Sequence, residues 1–298
     1  MRSMADAIAT QQQALRALYH RHIGPGQPYA LLDFPDHANV GDSAIWLGEL
    51  ALLREVTGRD PDHVATWDAF DPAALRRDCP GGTVFLHGGG NLGDIWPHHQ
   101  HFREALMREV GEVTVVQLPQ SIHFRDLANI APFAEAVAAH PDFHLYVRDR
   151  QSLDFATAHL ACPVALAPDS AFALGPQARR GEPDCDLLML LRTDDERVAG
   201  IAPATAGAVT VDWLADDPLP PAPPGETRAA AFERMAIARV ERGLALLSRG
   251  RRIVTDRLHG HILATLLGIP HLALDNDYGK LSAYIACWTA DCDGVERG

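Results

Sequence analysis

The chain has 298 residues, enough for two domains or one large one. Hydrophobic residues make up 47% and charged residues 22%, ordinary values for a folded globular protein. The net charge of −13 argues against a nucleic-acid-binding surface, whose footprint would be basic, but a local Arg cluster would still suit a small anionic substrate.

The N-terminal stretch MRSMADAIATQQQALRALYHRH is polar and helix-like and lacks the apolar core of a signal peptide. No apolar run reaches the ~18 residues that a membrane-spanning helix needs. Cys79, Cys162, Cys185, Cys287 and Cys292 are scattered and form no CxxC pair, which predicts free thiols in a reducing compartment. A cytoplasmic protein is expected, with work at the inner face of the membrane compatible with it.

Strand-like and helix-like runs then alternate. Tyr29–Phe34 reads as a buried strand, PDHANVGD as a loop, and SAIWLGELALLREVTG as a helix with Asp42 or Ser43 as N-cap and Gly58 as stop. The unit recurs as Thr83–His87, the loop GGGNLGD and a helix through HFREALMREVG. It recurs again as Val113–Leu118, the loop PQSIHF and a helix near LANIAPFAEAVAA. The strands HLYVRD and PVALAPD close this half. Repeated β-loop-α units predict a parallel sheet with helices on both faces.

From about Pro176 the stretch GPQARRGEPDCD reads as a linker, dividing the chain into 1–175 and 176–298. The second half offers the strands Asp186–Leu191 and AVTVDWL, a Pro-rich acidic loop (ADDPLPPAPPGET) and a long helix over 227–248. The strand RRIVTD, a helix, the strand HLALD and a C-terminal helix follow. Two α/β domains with a ligand cleft between them is the simplest architecture.

Polar residues gather at the strand ends. The most telling stretch is Thr255–His261, a loop that leaves an apolar strand and opens a helix. Such loops hold ligands in α/β sheets, and the helix N-terminus favours an anion. Arg257 adds a fork for carboxylate or phosphate, and His259 is suited to move a proton near neutral pH. Earlier, Asn39, Gly41 and Asp42 form either a polar clamp, with Asp42 as acceptor or base, or an N-cap with a turn glycine. Gly88–Asp94 is neither a dinucleotide fingerprint nor a Walker loop, yet NVGD and NLGD recur in parallel places. Gln120, Ser121 and His123 either touch a ligand or stabilise their loop. No GxSxG elbow makes Ser121 a nucleophile. Arg148–Asp149 reads as an ion pair or a cap, and Asp169–Ser170 also follows a strand. Arg192 ends its strand facing the cleft or lies on the surface. His98, His99 and His101 read as a solvated histidine-rich loop or helix start rather than a metal cluster, and His261 as a helix-start residue packing on its neighbours.

Six motifs in order resemble the polysaccharide pyruvyl transferase family: NVGDSAIW (39–46), FLHGGGNLGD (85–94), LPQSIHF (118–124), VRDRQS (147–152), APDSAF (167–172) and TDRLHGHILATLLGIP (255–270). The resemblance covers about residues 25–285. It implies an α/β fold of two Rossmann-like domains facing a cleft, as in GT-B glycosyltransferases. It also implies transfer of the enolpyruvyl group of phosphoenolpyruvate to a sugar of an exopolysaccharide or cell-surface glycan precursor, free or lipid-linked, giving a pyruvate ketal. The family's Arg-Leu-His element falls on Arg257, Leu258 and His259, which implies that Arg257 holds phosphoenolpyruvate and His259 is the acid. Arg192 matches a second anion-binding Arg. Asn39, Gly89, Gly90, Asn91, Gln120 and Ser121 would face the acceptor sugar, with Asp42 and Asp94 as candidate bases. An anion such as Asp256 beside His259 would favour the imidazolium. The scheme needs neither metal nor cofactor. The chain runs only a short way past Trp288, which leaves open whether a closing helix packs back on the N-terminal domain. A nucleotide-sugar glycosyltransferase and a non-catalytic sugar- or anion-binding protein are the competing readings.

Overall fold

The computed structural model describes residues 1–193, 207–215, 219, 221–275 and 279–298, and of Lys280 only the backbone. The Pro-rich 215–227 loop expected from the sequence therefore falls partly outside the described residues. In chain order come α1 (Met4–His22), β1 (Tyr29–Leu32), α2 (Val40–Thr57), β2 (His63–Ala65), α3 (Pro72–Asp78), β3 (Thr83–Leu86) and β4 (Gly89–Gly93). Then follow α4 (Pro97–Glu109), β5 (Val115–His123), α5 (Ile130–Ala139), β6 (Phe143–Val147), α6 (Arg150–His159) and β7 (Val164–Leu166). The remainder is β8 (Cys185–Leu190), β9 (Val209–Val211), α7 (Arg228–Ser248), β10 (Gly250–Thr255), α8 (Leu258–Leu266), β11 (His271–Ala273), α9 (Lys280–Trp288) and β12 (Val295–Arg297).

Among the described residues the strands form two parallel sheets. The first runs β2-β1-β3-β5-β6-β7, with β4 paired to β5, and the second runs β12-β11-β10-β8-β9. Parallel strands joined by helical crossovers are buried on both faces, which is why Tyr29–Leu32 is an unbroken apolar run with no exposed member. The 3-residue strands β2 and β12 lie at sheet edges, and neither was expected from the sequence.

Two stretches expected to be loops are strands. β5 continues through Leu118–His123, and Gly89–Gly93 pairs beside it as β4. Pro119 lacks an N–H for the ladder, and the β5–β6 register shifts between Gln117 and Gln120 to accommodate it. A similar shift between Gly89 and Leu92 admits the glycine run.

Helix α2 starts at Val40, earlier than the sequence suggested. Asn39 is the N-cap: its Oδ1 accepts the Gly41 N–H at 3.2 Å, while its Nδ2 donates to Asp42 Oδ2 at 2.8 Å. Asp42 is thus the third helical residue and answers the cap, rather than being the cap itself. Gly58 ends the helix in the left-handed conformation at φ 73°, as expected.

One hydrophobic core joins the two sheets. It takes Leu31 and Phe85 from the first, Leu188 and Ile253 from the second, and Leu15 and Tyr19 from α1. Helix α7 belongs to the second half of the sequence but lies against α2. A side chain at Gly243 would meet Val40 Cγ1 at 2.3 Å, so only glycine lets these helices approach this closely. Arg54 and Glu233 add a bidentate pair at 2.5 and 2.8 Å. The closing helix that the sequence left open is α9. Tyr284 Oη donates to Gln11 Oε1 at 2.8 Å and accepts from the Asp169 N–H at 3.2 Å, and Trp288 Nε1 donates to the Arg148 carbonyl at 2.8 Å.

Candidate functional site

A cavity of about 410 Å³ opens where the loops following β1, β3, β6, β8 and β10 converge. These are the carboxyl ends of parallel strands, the usual ligand position in such sheets. Two helices present their N-termini there. Asn39 caps α2, whereas no side chain caps α8, which begins directly after Arg257. The partial positive charge of both termini favours an anion.

His259, in the first turn of α8, is only 8% exposed and lines the cavity. It packs directly against α2: a Cβ at Gly41 would come within 2.2 Å of Nδ1. On the other edge Nε2 is 3.3 Å from Asp169 Oδ2. Asp169 accepts from Arg148 Nη1 at 2.6 Å. Burial by itself would raise the Asp169 carboxyl, but the charges of His259 and Arg148 hold it well below its ordinary range. The anion beside His259 is therefore Asp169. Asp256, expected in that role from sequence adjacency, turns away and accepts the Arg192 N–H at 2.9 Å.

Arg257, Leu258 and Arg192 all line the cavity. Arg257 Nη2 donates to Asp212 at 2.9 Å, which fixes the guanidinium from the second sheet. Asn39, Asp42, Gly90 and Asn91 line it from the first sheet. Burial pushes the Asp42 carboxyl up, yet the surrounding cations, led by His37 and His259, bring it below its usual value. It is a carboxylate at neutral pH.

The remaining expected residues do not border the cavity. Asp94 is spent on its own loop, accepting from the Arg125 N–H at 2.7 Å, the Asp126 N–H at 2.9 Å and Asn129 Nδ2 at 3.1 Å. Of the two carboxylates expected as bases, Asp42 borders the cavity and Asp94 does not. Gln120 and Ser121 sit behind the wall. Gln120 Nε2 donates to Asn91 Oδ1 at 2.9 Å, and Ser121 Oγ accepts from Arg148 Nε at 2.9 Å while donating to Asp149 Oδ2 at 2.6 Å. Gly89, at φ 120°, brings the backbone to where its Cβ would lie 3.6 Å from Asp42 Oδ1. These residues position the lining instead of forming it.

Several site residues were missed or misread from the sequence. Of the two readings of Arg148–Asp149 the cap holds, Asp149 accepting the Ser152 N–H at 2.8 Å at the start of α6, while Arg148 pairs with Asp169, which was not foreseen. A guanidinium ending one strand and a carboxylate ending the next was the available signal. His99, expected in solvent, is buried and holds Asp33 at 2.7 Å. Asp33 has a left-handed backbone at φ 71°, a strained conformation for a residue with a side chain. Burial raises the Asp33 carboxyl, but the His99 bond and charge bring it below its ordinary value. Trp96, 46% exposed, stands at the cavity wall, and Trp67, 40% exposed, packs its ring 4.7 Å from that of His98. His261 faces away from the cavity cluster: Nδ1 is 2.7 Å from His271 Nε2 and Nε2 is 3.0 Å from Thr289 Oγ1. Among the described residues no three His, Cys, Asp or Glu side chains are placed to hold a metal ion, and no helix is long and apolar enough to cross a membrane.

The family model described as polysaccharide pyruvyl transferase matches residues 39–278. Pyruvyl transferase 1 of Schizosaccharomyces pombe is 34% identical over 97% of this chain and 77% of its own length. EpsO of Bacillus subtilis is 30% identical over 86% of this chain and 84% of its own. A crystal structure of the Klebsiella pneumoniae protein KP1_0663, itself functionally uncharacterised, superposes with a TM-score of 0.64 at 18% identity, covering 97% of this chain and 98% of that one. That likeness concerns the fold alone.

Proposed function

Because the chain belongs to the polysaccharide pyruvyl transferase family, we propose that it moves the enolpyruvyl group of phosphoenolpyruvate onto a sugar hydroxyl pair, forming a pyruvate ketal. The acceptor in this reading belongs to an exopolysaccharide or cell-surface glycan precursor, free or lipid-linked. The observation that carries it is the seat of His259, whose ring is wedged between Gly41 and Asp169 beside Arg257 and Arg148 in one cavity. A proton donor and guanidinium forks together suit a substrate bearing both a carboxylate and a phosphate.

The steps follow from that chemistry. His259 gives a proton to the methylene carbon, the C=C electron pair forms the new C–H bond, and the central carbon becomes an oxocarbenium. A sugar hydroxyl attacks that carbon, and its proton passes to Asp42. The C–O bond to phosphate then breaks, its electron pair leaving on the phosphate oxygen, which takes up the proton held by Asp42 and so restores the carboxylate. The second hydroxyl closes the ketal and gives up its proton, which restores His259. Arg257 and Arg192 hold the anion throughout, and Asp169 orients His259. The products are the ketal and inorganic phosphate.

The two sheets suit a GT-B-like arrangement, with 1–175 as the acceptor side and 176–298 as the phosphoenolpyruvate side. Trp96 supports a sugar face on the first side, since an exposed aromatic ring at the cavity wall offers flat apolar surface for stacking. Phosphate release from phosphoenolpyruvate in the presence of a panel of sugar and glycan acceptors tests the reading, with sugar nucleotides as the control. Release that depends on the glycan supports it. Consumption of a sugar nucleotide without use of phosphoenolpyruvate replaces it with glycosyl transfer.

A further inference from the structure

His87, immediately after β3, is gripped from behind by α2. Its Nδ1 is 2.7 Å from Glu49 Oε2, and the second Glu49 oxygen accepts the Gly88 N–H at 2.8 Å. Both side chains are buried, at 2% and 0% exposure. The opposite ring atom, Nε2, is buried without a hydrogen-bond partner, although His87 borders the cavity. A buried polar atom left in this state calls for a ligand or another explanation. Two proton arrangements make the Glu49–His87 pair neutral overall: carboxylate with imidazolium, or carboxylic acid donating to Nδ1 of a neutral ring. In both of them Nε2 carries a hydrogen. The third arrangement, carboxylate with a neutral ring protonated at Nδ1, leaves a buried anion uncompensated.

We infer that His87 Nε2–H is a substrate-binding donor, which takes an anionic oxygen of the bound molecule from the side of the first sheet while Arg257 holds it from the second. The pyruvyl-transfer reading identifies that molecule as phosphoenolpyruvate, and to this extent the inference rests on it. The surrounding charges agree. Burial would lower the His87 ring, but Glu49, then Asp42 on the same helix and Asp33 after β1, lift it above its ordinary value. Burial raises Glu49 against the pull of His87, with Asp169 adding to the rise. His259 and Arg148 offset Asp42, and His99 and Arg103 offset Asp33. The pair therefore keeps its proton.

Two measurements on the full chain test this. Nitrogen-15 NMR of histidine-labelled protein, with His87 assigned by its loss in His87→Gln, reports whether Nε2 is protonated at neutral pH. Calorimetric titration with phosphoenolpyruvate, and separately with inorganic phosphate, compares wild type, His87→Ala and His87→Gln, with thermal unfolding confirming that each variant folds. A protonated Nε2 is expected, with roughly 10- to 100-fold weaker binding in His87→Ala. His87→Gln, whose amide N–H reaches toward the same place, should recover most of the affinity. If His87→Ala does not fold, the NMR result and the Gln variant decide. An unprotonated Nε2, or wild-type affinity in folded His87→Ala, overturns the inference. Phosphoenolpyruvate binding that ignores His87 removes only this role. Phosphate binding that depends on His87, with no binding of phosphoenolpyruvate by wild type, keeps it and removes pyruvyl transfer.

Discussion

Asp169 Oδ2 lies 3.3 Å from His259 Nε2, although the two residues come from different sheets and are 90 positions apart in sequence. The contact binds the acid of the proposed reaction to an anion that α9 and Arg148 both fix. Asp169→Asn keeps the shape and removes the charge. Its kcat is expected to fall roughly 100-fold, in line with the loss of an orienting carboxylate behind a catalytic histidine. Steady-state kinetics within about threefold of wild type, below the scale of such an effect, would remove Asp169 from the mechanism.

Gly41→Ala separates activity from stability. Alanine is the better helix former by about 1 kcal/mol. A Cβ there, however, would sit 2.2 Å from His259 Nδ1 and 2.6 Å from His259 Cβ, so the whole ring must move. The variant should retain the circular dichroism spectrum of the wild type while losing turnover roughly 100-fold, as displaced acid–base groups do. A fully active Gly41→Ala would show that the ring position is unimportant.

Trp96→Ala is expected to raise KM for the glycan acceptor about tenfold, the scale of losing one aromatic contact face. The affinity for phosphoenolpyruvate, measured by titration without acceptor, should stay unchanged. Loss of donor binding instead would place Trp96 on the other side of the reaction.

The buried His261–His271 pair predicts an acid-sensitive fold. Burial drives both rings below the ordinary value, His271 to about 4 with its Ile269 carbonyl bond opposing, and His261 well below that ordinary value, with the charge of His271 adding to burial. A histidine whose folded pKa is depressed is neutral in the fold and takes up its proton on unfolding. Its stabilisation is present above the unfolded value near 6.5 and declines as pH falls toward the folded value. Thermal midpoints should therefore drop between about pH 6.5 and 4, and His271→Gln should flatten that slope. An unchanged slope in the variant would assign the acid sensitivity elsewhere.

The sequence made part of this site legible. The TDRLHGH stretch was readable because its chemistry is local: a strand, a fork, an imidazole and a helix start stand within a few residues. Strand β4 and the second half of β5 were hidden because glycine and proline are turn signals, and only the register shifts beside Gln120 and Gly89 reconcile them with a sheet. The cap of α2 was misplaced because Asn39 and Asp42 both carry capping side chains, and only their mutual bond ranks them. Asp169, Arg148, Asp33, His99 and the Glu49–His87 pair owe their roles to partners that the fold brings together from distant positions. Apart from the successive strand-end positions of Arg148 and Asp169, spacing along one chain carries no trace of such pairings.

The central claim is that Arg257 and its surroundings hold phosphoenolpyruvate. Calorimetric titration of wild type and Arg257→Ala with phosphoenolpyruvate, beside a panel of sugar nucleotides, tests it most directly. The account predicts saturable binding of phosphoenolpyruvate that is lost in the variant, and no binding of the nucleotides. Saturable binding of a sugar nucleotide with none of phosphoenolpyruvate would contradict it.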